Sequence, residues 1–286
     1  MIFVSGTKRS GTSMWMQVLH AAGIPVLGQA FPRNWGNVPL RDANPDGFYE
    51  SVLRQGVYFA TNPHPTTGKY FFPKDVEGYA VKVFVPGVIR SERAYITHLV
   101  ANVRAWREYE GSINRLYALE DEGRPEGADQ PFHFPPALEW WMENFALVRD
   151  ISLRKLNFRM QCYDDVVAEP ERYVRRVLEF VGTGDVEAAV AAVKPENRTQ
   201  ADITESDAVE PKLAKVFDDL YAAVKLGENF SPALLSTLNA TNQALLPRLT
   251  ELQQKVMADQ MKRGAKRKAA GVQSARRREE VEGLPV

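Results

Sequence analysis

The chain has 286 residues, of which 44% are hydrophobic and 10% aromatic, an ordinary globular composition that can bury a large core in one or two domains. Its 36 basic residues balance 36 acidic ones, and its single cysteine, Cys162, excludes an intramolecular disulfide framework. No apolar run is long enough to span a bilayer and no N-terminal leader is visible, so we expect a soluble, cytoplasmic protein.

The first predicted elements surround a glycine-rich turn at residues 6–13, which read G-T-K-R-S-G-T-S. An apolar run at 2–4 precedes the turn, and a helical pattern from Met14 to Gly23 follows it. Strand, glycine-rich turn and helix together predict an anion-binding loop, because backbone N–H groups and the helix dipole hold an anion without a metal. A turn that merely precedes a helix is the alternative.

This turn differs from the loop that binds nucleoside triphosphates in one defining residue. That loop reads G-x-x-x-x-G-K-[ST], whereas Thr12 stands here at the lysine position. The cations lie inside the turn instead, as Lys8 and Arg9. The pattern therefore favours a phosphate-bearing ligand other than a magnesium-chelated triphosphate.

Further along the chain, short apolar runs alternate with helical segments. This pattern predicts an α/β fold, a three-layer α/β/α arrangement around a mostly parallel sheet of the P-loop nucleotide-kinase type. The segment 31–73 is rich in proline, glycine and asparagine and is predicted to be irregular and to form part of a site. The candidate strands are 1–5, 79–85, 96–103 and 157–163.

A second candidate binding element follows the strand at 96–103. Arg104 comes directly after it, and Ser112 lies eight residues later in a predicted helix. A guanidinium group and a hydroxyl group both suit a phosphate. Because ligands of open α/β sheets bind at the carboxyl ends of the strands, we expect this pair to lie near the first loop. A surface arginine is the alternative.

The C-terminal half is predicted to be largely helical. Helices are expected at 137–155, from Pro170 to Gly182, at 209–225 and at 232–260, and the last carries a leucine stripe that packs on its own domain or, alternatively, forms a homodimer face. Residues 261–286 carry eight basic and three acidic side chains, a charge of +5. We predict a P-loop domain over 1–200, a helical extension over 201–260 and a flexible basic tail over 261–286, with nucleic-acid binding by the tail less favoured.

These motifs together resemble the sulfotransferases that use 3′-phosphoadenosine 5′-phosphosulfate (PAPS), in the branch whose loop reads P-R-S-G-T-S. Residues 44–50 resemble its N-P-x-G-[FY]-x-E stretch, residues 163–170 its Y-E-D-L-x-x-x-P stretch, and Lys82 a strand lysine of the family. The resemblance covers about residues 1–200. It implies that Arg104 and Ser112 bind the 3′-phosphate, and that the 5′-phosphosulfate is bound by Thr7, Lys8, Arg9, Ser10, Gly11, Thr12 and Ser13.

The chain also departs from the family pattern. Lys8 replaces the usual proline of the loop, so either Lys8 or Arg9 can meet the sulfonate. Trp15 lies one position later than the tryptophan that stacks on adenine, which leaves a core role open, and Asp164 replaces the usual glutamate.

The resemblance implies transfer of a sulfonate group from PAPS to a hydroxyl or amine of a small-molecule or carbohydrate acceptor, without a metal and with adenosine 3′,5′-bisphosphate (PAP) as product. Arg9 would stabilise the leaving phosphate and Glu50 would take the acceptor's proton. Glu50 as a helix cap is the alternative, and His98 is expected to be a buried strand residue. The competing functions are a P-loop kinase, for which Asp164 and Asp165 would hold magnesium, and a catalytically inactive nucleotide-binding protein.

Overall fold

The computed structural model describes residues 1–31, 44, 46–122, 124, 129–198, 203, 205–227 and 229–282, with side chains up to residue 266. Part of the segment 31–73 that was predicted to be irregular and site-forming, residues 32–43 and residue 45, lies outside the described residues.

The centre of the fold is a five-stranded parallel sheet. Its strand order is β2-β3-β1-β4-β5, and each neighbouring pair runs parallel. The predicted α/β architecture with a central parallel sheet is therefore confirmed. The strands are β1 (Ile2–Ser5), β2 (Val26–Leu27), β3 (Ala80–Lys82), β4 (His98–Val103) and β5 (Phe158–Cys162).

Helices cover both faces of the sheet. They are α1 (Thr12–Ala21), α2 (Val85–Arg90), α3 (Trp106–Glu122), α4 (Pro136–Arg154), α5 (Tyr163–Ala168), α6 (Pro170–Val181), α7 (Val186–Ala191), α8 (Pro211–Leu226) and α9 (Pro232–Glu282). Helices α1, α6 and α7 bury one core around Trp15 and Leu178. Helices α2, α3, α4, α8 and α9 bury the other, in which Trp141 stacks between Phe145 and Phe217.

Three predicted strands are shorter in the structure than in the sequence pattern. The strand expected at 79–85 ends at Lys82, because Val85 already begins α2 with Pro86 in its first turn. The strand expected at 157–163 ends at Cys162, because Tyr163 begins α5. The strand expected at 96–103 begins at His98, after a short 3₁₀ turn at Arg93–Tyr95. Strand β2 has only two residues and was not predicted.

The C-terminal helices pack on the larger core. Leu238 and Leu249 of the leucine stripe are buried there, and α9 lies against α4 and α8. Helix α9 continues to Glu282. The domain boundaries, the flexibility of the basic tail and the homodimer stay predictions.

None of the helices in the described part of the chain has an apolar stretch long enough to cross a membrane.

The register of the sheet sets the position of the candidate site. Ser5 pairs with Ala101, Val4 with Lys82, and Val103 with Cys162. The carboxyl ends of four strands thus share one edge, where the chain continues into the glycine-rich turn, into Arg104 and into Tyr163. His98 pairs with Ile2 at the opposite edge.

Candidate functional site

The glycine-rich turn connects buried strand β1 to helix α1 and leaves the helix N-terminus open. Thr7 and Ser10 are buried, and the Ser10 hydroxyl donates to the Thr7 carbonyl at 2.7 Å. Gly11 is the N-cap of α1, and no side chain among the described residues caps this end. The first amides of α1 are therefore available to an anion.

Both glycines of the turn are required by their surroundings. A Cβ at Gly6 would lie 2.3 Å from the Asn102 carbonyl oxygen, and a Cβ at Gly11 would lie 2.6 Å from Cδ2 of Tyr163. Gly11 also has φ of 93°, in the left-handed region. The turn therefore packs directly on β4 and on the first residue of α5.

Asn102, the penultimate residue of β4, is hydrogen-bonded to the turn. It is fully buried, and its Nδ2 donates to the Ser10 carbonyl oxygen. This bond ties the carbonyl of the turn to strand β4 and satisfies it as a buried acceptor.

The structure brings Arg104 and Ser112 to the same turn. Arg104 Nη1 donates to the Arg9 carbonyl oxygen at 3.2 Å, and Arg9 Nε donates to Ser112 Oγ at 3.3 Å. Arg104 also lies over the ring of Tyr163, 5.0 Å from its centre. The two elements predicted to bind phosphates are therefore in direct contact.

The two adjacent cations of the turn have different surroundings. Arg9 adopts φ of 63°, and burial, followed by the charges of Arg104 and Arg115, lowers its pKa. Lys8 is exposed at the cavity rim. Burial and the charge of Glu139 raise the pKa of Glu143, on α4, to about 8, and the positive charge of Lys8 partly offsets this rise. Arg9 is thus the cation that meets Ser112.

Glu50 lies on the other side of the cavity as part of a buried ion pair. Its Oε1 accepts from Lys82 Nζ at 3.3 Å and its Oε2 from Arg54 Nη1 at 2.8 Å. Lys82 Nζ also donates to Ser13 Oγ at 3.1 Å and to the Phe48 carbonyl oxygen at 3.2 Å. Burial lowers the pKa of Lys82, and the charge of Glu50 partly offsets this.

The alternative role of Glu50 as a helix cap is wrong. The short 3₁₀ helix Val52–Gln55 is capped by Ser51, whose hydroxyl oxygen accepts from the Leu53 amide at 3.2 Å. Glu50 precedes the cap, and its carbonyl oxygen accepts from the Gln29 amide. Its carboxylate is therefore free of helix capping and faces the cavity.

A cavity of about 470 Å³ joins these groups. This volume lies within the range of small-molecule and cofactor sites. The lining of the cavity includes the turn, Arg104, Tyr163, Phe48, Glu50 and Phe84. The cavity thus brings together cationic side chains, a carboxylate and aromatic rings.

Other sequence candidates lie away from the cavity or have a structural role. Trp15 is fully buried in the core, in agreement with the core interpretation. The ring of His98 packs edge-on against Phe180 at the far edge of the sheet. Asp164 and Asp165 lie near Cys162, and one cation, Lys225, is ion-paired with both of them.

Several residues of the site were missed by the sequence analysis. Asn102 gave no signal of a role, and Tyr163 was noted only as the first residue of the 163–170 stretch, because their contacts with the turn appear only in the fold. Lys82 was noted only as part of the resemblance. Glu108 and Arg198, which are ion-paired with each other, lie beside Arg104.

Comparisons with known proteins gave similarity to solved structures alone. No family model matches the chain, and no curated protein matches it. Among solved structures, it is similar to the sulfotransferase domain from the Synechococcus PCC 7002 olefin synthase, with 13% identity and a TM-score of 0.38 over 84% of this chain and 86% of that chain. The chemistry of the site therefore rests on its own residues.

Proposed function

We propose that this protein is a sulfotransferase that transfers a sulfonate group from PAPS to a hydroxyl or amine of a small-molecule or carbohydrate acceptor. The observation that carries the proposal is the contact between the glycine-rich turn and Arg104, through the Arg9 carbonyl oxygen at 3.2 Å. Two phosphate-binding elements at one cavity suit a nucleotide with phosphates at both the 5′ and the 3′ positions.

The residues of the turn would stabilise the charge that develops on the leaving phosphate. The acceptor oxygen or nitrogen attacks sulfur, the sulfur–oxygen bond to the 5′-phosphate breaks, and the electron pair stays on the phosphate of PAP. The open amides of α1 and the Arg9 guanidinium stabilise that charge, and Lys82 beside Ser13 adds a third positive group. By analogy with phosphoryl transfer, positioning and electrostatics provide most of the acceleration.

Glu50 is the proposed acceptor of the proton. Its two oxygens each accept one hydrogen bond, from Lys82 and from Arg54. A carboxylate has about four lone-pair sites, so Glu50 can still accept the acceptor's O–H or N–H. The ion pairs hold it in one orientation at the cavity wall.

A nucleoside triphosphate enzyme is the second candidate, and one observation favours it. Lys82 Nζ lies 3.1 Å from Ser13 Oγ. Strand β3 therefore places a cation near the turn, which lacks the usual lysine at Thr12. However, Asp164 and Asp165 are both paired with Lys225. A magnesium ion at the position where the sequence offered these ligands would therefore compete with the Lys225 ammonium group.

Calorimetric titration distinguishes the two functions. The protein is titrated with PAP and, separately, with ATP plus magnesium chloride. We expect tight binding of PAP and none of ATP; the reverse result would overturn the sulfotransferase proposal. Release of PAP from PAPS in the presence of phenols, amines or oligosaccharides then separates an active enzyme from an inactive binding protein.

A further inference from the structure

Glu108, on helix α3, holds two arginines that come from distant parts of the chain. Its Oε2 accepts from Arg104 Nε at 3.3 Å, and its Oε1 accepts from Arg198 Nη2. The side chain of Glu108 is 7% exposed and that of Arg104 is 6% exposed. The carboxylate is thus a buried bridge between the two guanidinium groups, and its hydrogen bond raises the pKa of Arg198.

Each of these arginines keeps one buried N–H group without an acceptor among the described residues. The two groups are Arg104 Nη2 and Arg198 Nε. Buried donors in folded proteins are nearly always paired, so two orphans on neighbouring guanidinium groups indicate a ligand that accepts from both.

The charges around Glu108 indicate what kind of ligand this is. Arg104 and Arg198 carry two positive charges against the single negative charge of Glu108, and Arg9 and Arg115 add positive charge nearby. This excess of positive charge suits an anionic ligand, and guanidinium groups bind phosphate with paired N–H groups. Tyr163 stacks below Arg104, which leaves the edge of the guanidinium for the anion.

We propose that Glu108 is a positioning residue that sets the selectivity of the site for a nucleotide with a 3′-phosphate. Glu108 holds Arg104 and Arg198 so that Arg104 Nη2 and Arg198 Nε bind that phosphate together. This inference rests on the proposed function, because it assigns the 3′-phosphate of PAPS and PAP to these two donors.

The test is Glu108→Gln, measured by calorimetric titration with PAP and with adenosine 5′-phosphate, which lacks the 3′-phosphate. Glutamine has the size of glutamate, but its amide NH₂ is a donor and cannot accept a hydrogen bond from a guanidinium group. The variant therefore keeps the hydrogen bond to only one of the two arginines. We expect the preference of wild type for PAP over adenosine 5′-phosphate to fall by about tenfold or more in the variant. Affinity for adenosine 5′-phosphate should stay within about twofold.

Two further variants serve as controls. Glu108→Asp keeps the charge and should restore part of the preference. Glu110→Gln makes the same change on the same helix, where Glu110 accepts from Ser206 instead of an arginine. It should bind both nucleotides as wild type does. An equal loss of affinity for both nucleotides in a folded Glu108→Gln protein would show a general structural role and would overturn the positioning role.

The failure of this inference can be told apart from the failure of the proposed function. A wild-type protein with no preference for PAP would overturn both. A wild type that prefers PAP, with a Glu108→Gln variant that keeps the same or a stronger preference, would overturn the role of Glu108 alone. In that case Glu108 would compete with the phosphate for the arginines instead of positioning them.

Discussion

Lys82 Nζ lies 3.3 Å from Glu50 Oε1, and the same ammonium group donates to Ser13 Oγ at 3.1 Å. One buried cation therefore joins the Glu50 carboxylate to the glycine-rich turn. Because Lys82 is the last residue of β3, the parallel register fixes this connection. Charge at the turn and charge at the proposed base are coupled through a single side chain.

Replacement of Glu50 should separate turnover from nucleotide binding. In Glu50→Ala and Glu50→Gln, we expect sulfonate transfer to fall by about 10²-fold or more, because the proton acceptor is lost. Affinity for PAP should stay within a few-fold of wild type. The measurements are PAP release with PAPS and calorimetric titration with PAP.

The control for this prediction is Glu92→Gln, an exposed glutamate outside the cavity. Glu50→Ala should also destabilise the protein by about 3 kcal/mol, the lower end for a broken buried ion pair, because Lys82 keeps two other acceptors. Assays should be run well below the melting temperature. Unchanged turnover in both Glu50 variants would remove Glu50 from the mechanism.

Gly11 and Gly23 form a matched pair for a test of the turn. Their φ angles are 93° and 85°, so alanine is strained at both by about 1–2 kcal/mol. A Cβ at Gly11 would meet Tyr163 at 2.6 Å, whereas a Cβ at Gly23 meets nothing within 4 Å. We expect Gly11→Ala to lose PAP binding by about tenfold or more and Gly23→Ala to keep it. Equal affinities of the two variants in calorimetric titration would contradict this role of the turn.

The sequence was sufficient to predict the architecture, since short apolar runs that alternate with helical segments, separated by glycine-rich turns, indicate a parallel α/β sheet. Strand β1, the turn and α1 were predicted nearly at their observed bounds. Strand β2 has only two residues, Val26–Leu27, too few for any period to be visible. The ends of β3 and β5 were overestimated, because apolar residues continued into helices α2 and α5.

The site could be predicted only where one motif held its residues together. The turn and the Arg104–Ser112 spacing are local patterns, and register brought them into contact. Asn102 and Arg198 could not be found in this way, because their partners lie 92 and 90 residues away in the chain. Long-range partners of single polar side chains leave no periodic signal in one sequence.

Arg104→Lys should test whether the arginine acts through its planar fork. Lysine keeps the positive charge but cannot contact Glu108, the Arg9 carbonyl oxygen and a phosphate together. We expect affinity for PAP to fall by about 10- to 100-fold, which corresponds to the loss of about 1.5–3 kcal/mol of charged hydrogen bonding. Arg107→Lys is the control, because Arg107 pairs with Asp218 outside the cavity. Similar PAP affinities of the two variants would show that charge alone is needed.

Glu143 should make the stability of the protein depend on pH. Burial and the charge of Glu139, whose Oε2 accepts from the Tyr109 hydroxyl at 3.0 Å, raise the pKa of Glu143 from 4.5 to about 8. Between these values the native protein keeps a proton that the unfolded chain releases. The contribution of Glu143 to stability is therefore fully present below pH 4.5 and is lost as the pH rises to about 8.

Glu143→Gln removes this dependence, so the free energy of unfolding of the variant should rise relative to wild type between pH 5 and pH 8. Because one pKa unit corresponds to about 1.4 kcal/mol, the difference should grow by more than about 1 kcal/mol over this window. Urea unfolding at a series of pH values measures it, with Glu179→Gln, on the exposed side of α6, as the control for the change of charge. A difference that stays constant from pH 5 to pH 8 would mean that Glu143 is ionised in the native protein, because solvent or Lys8 then compensates its charge.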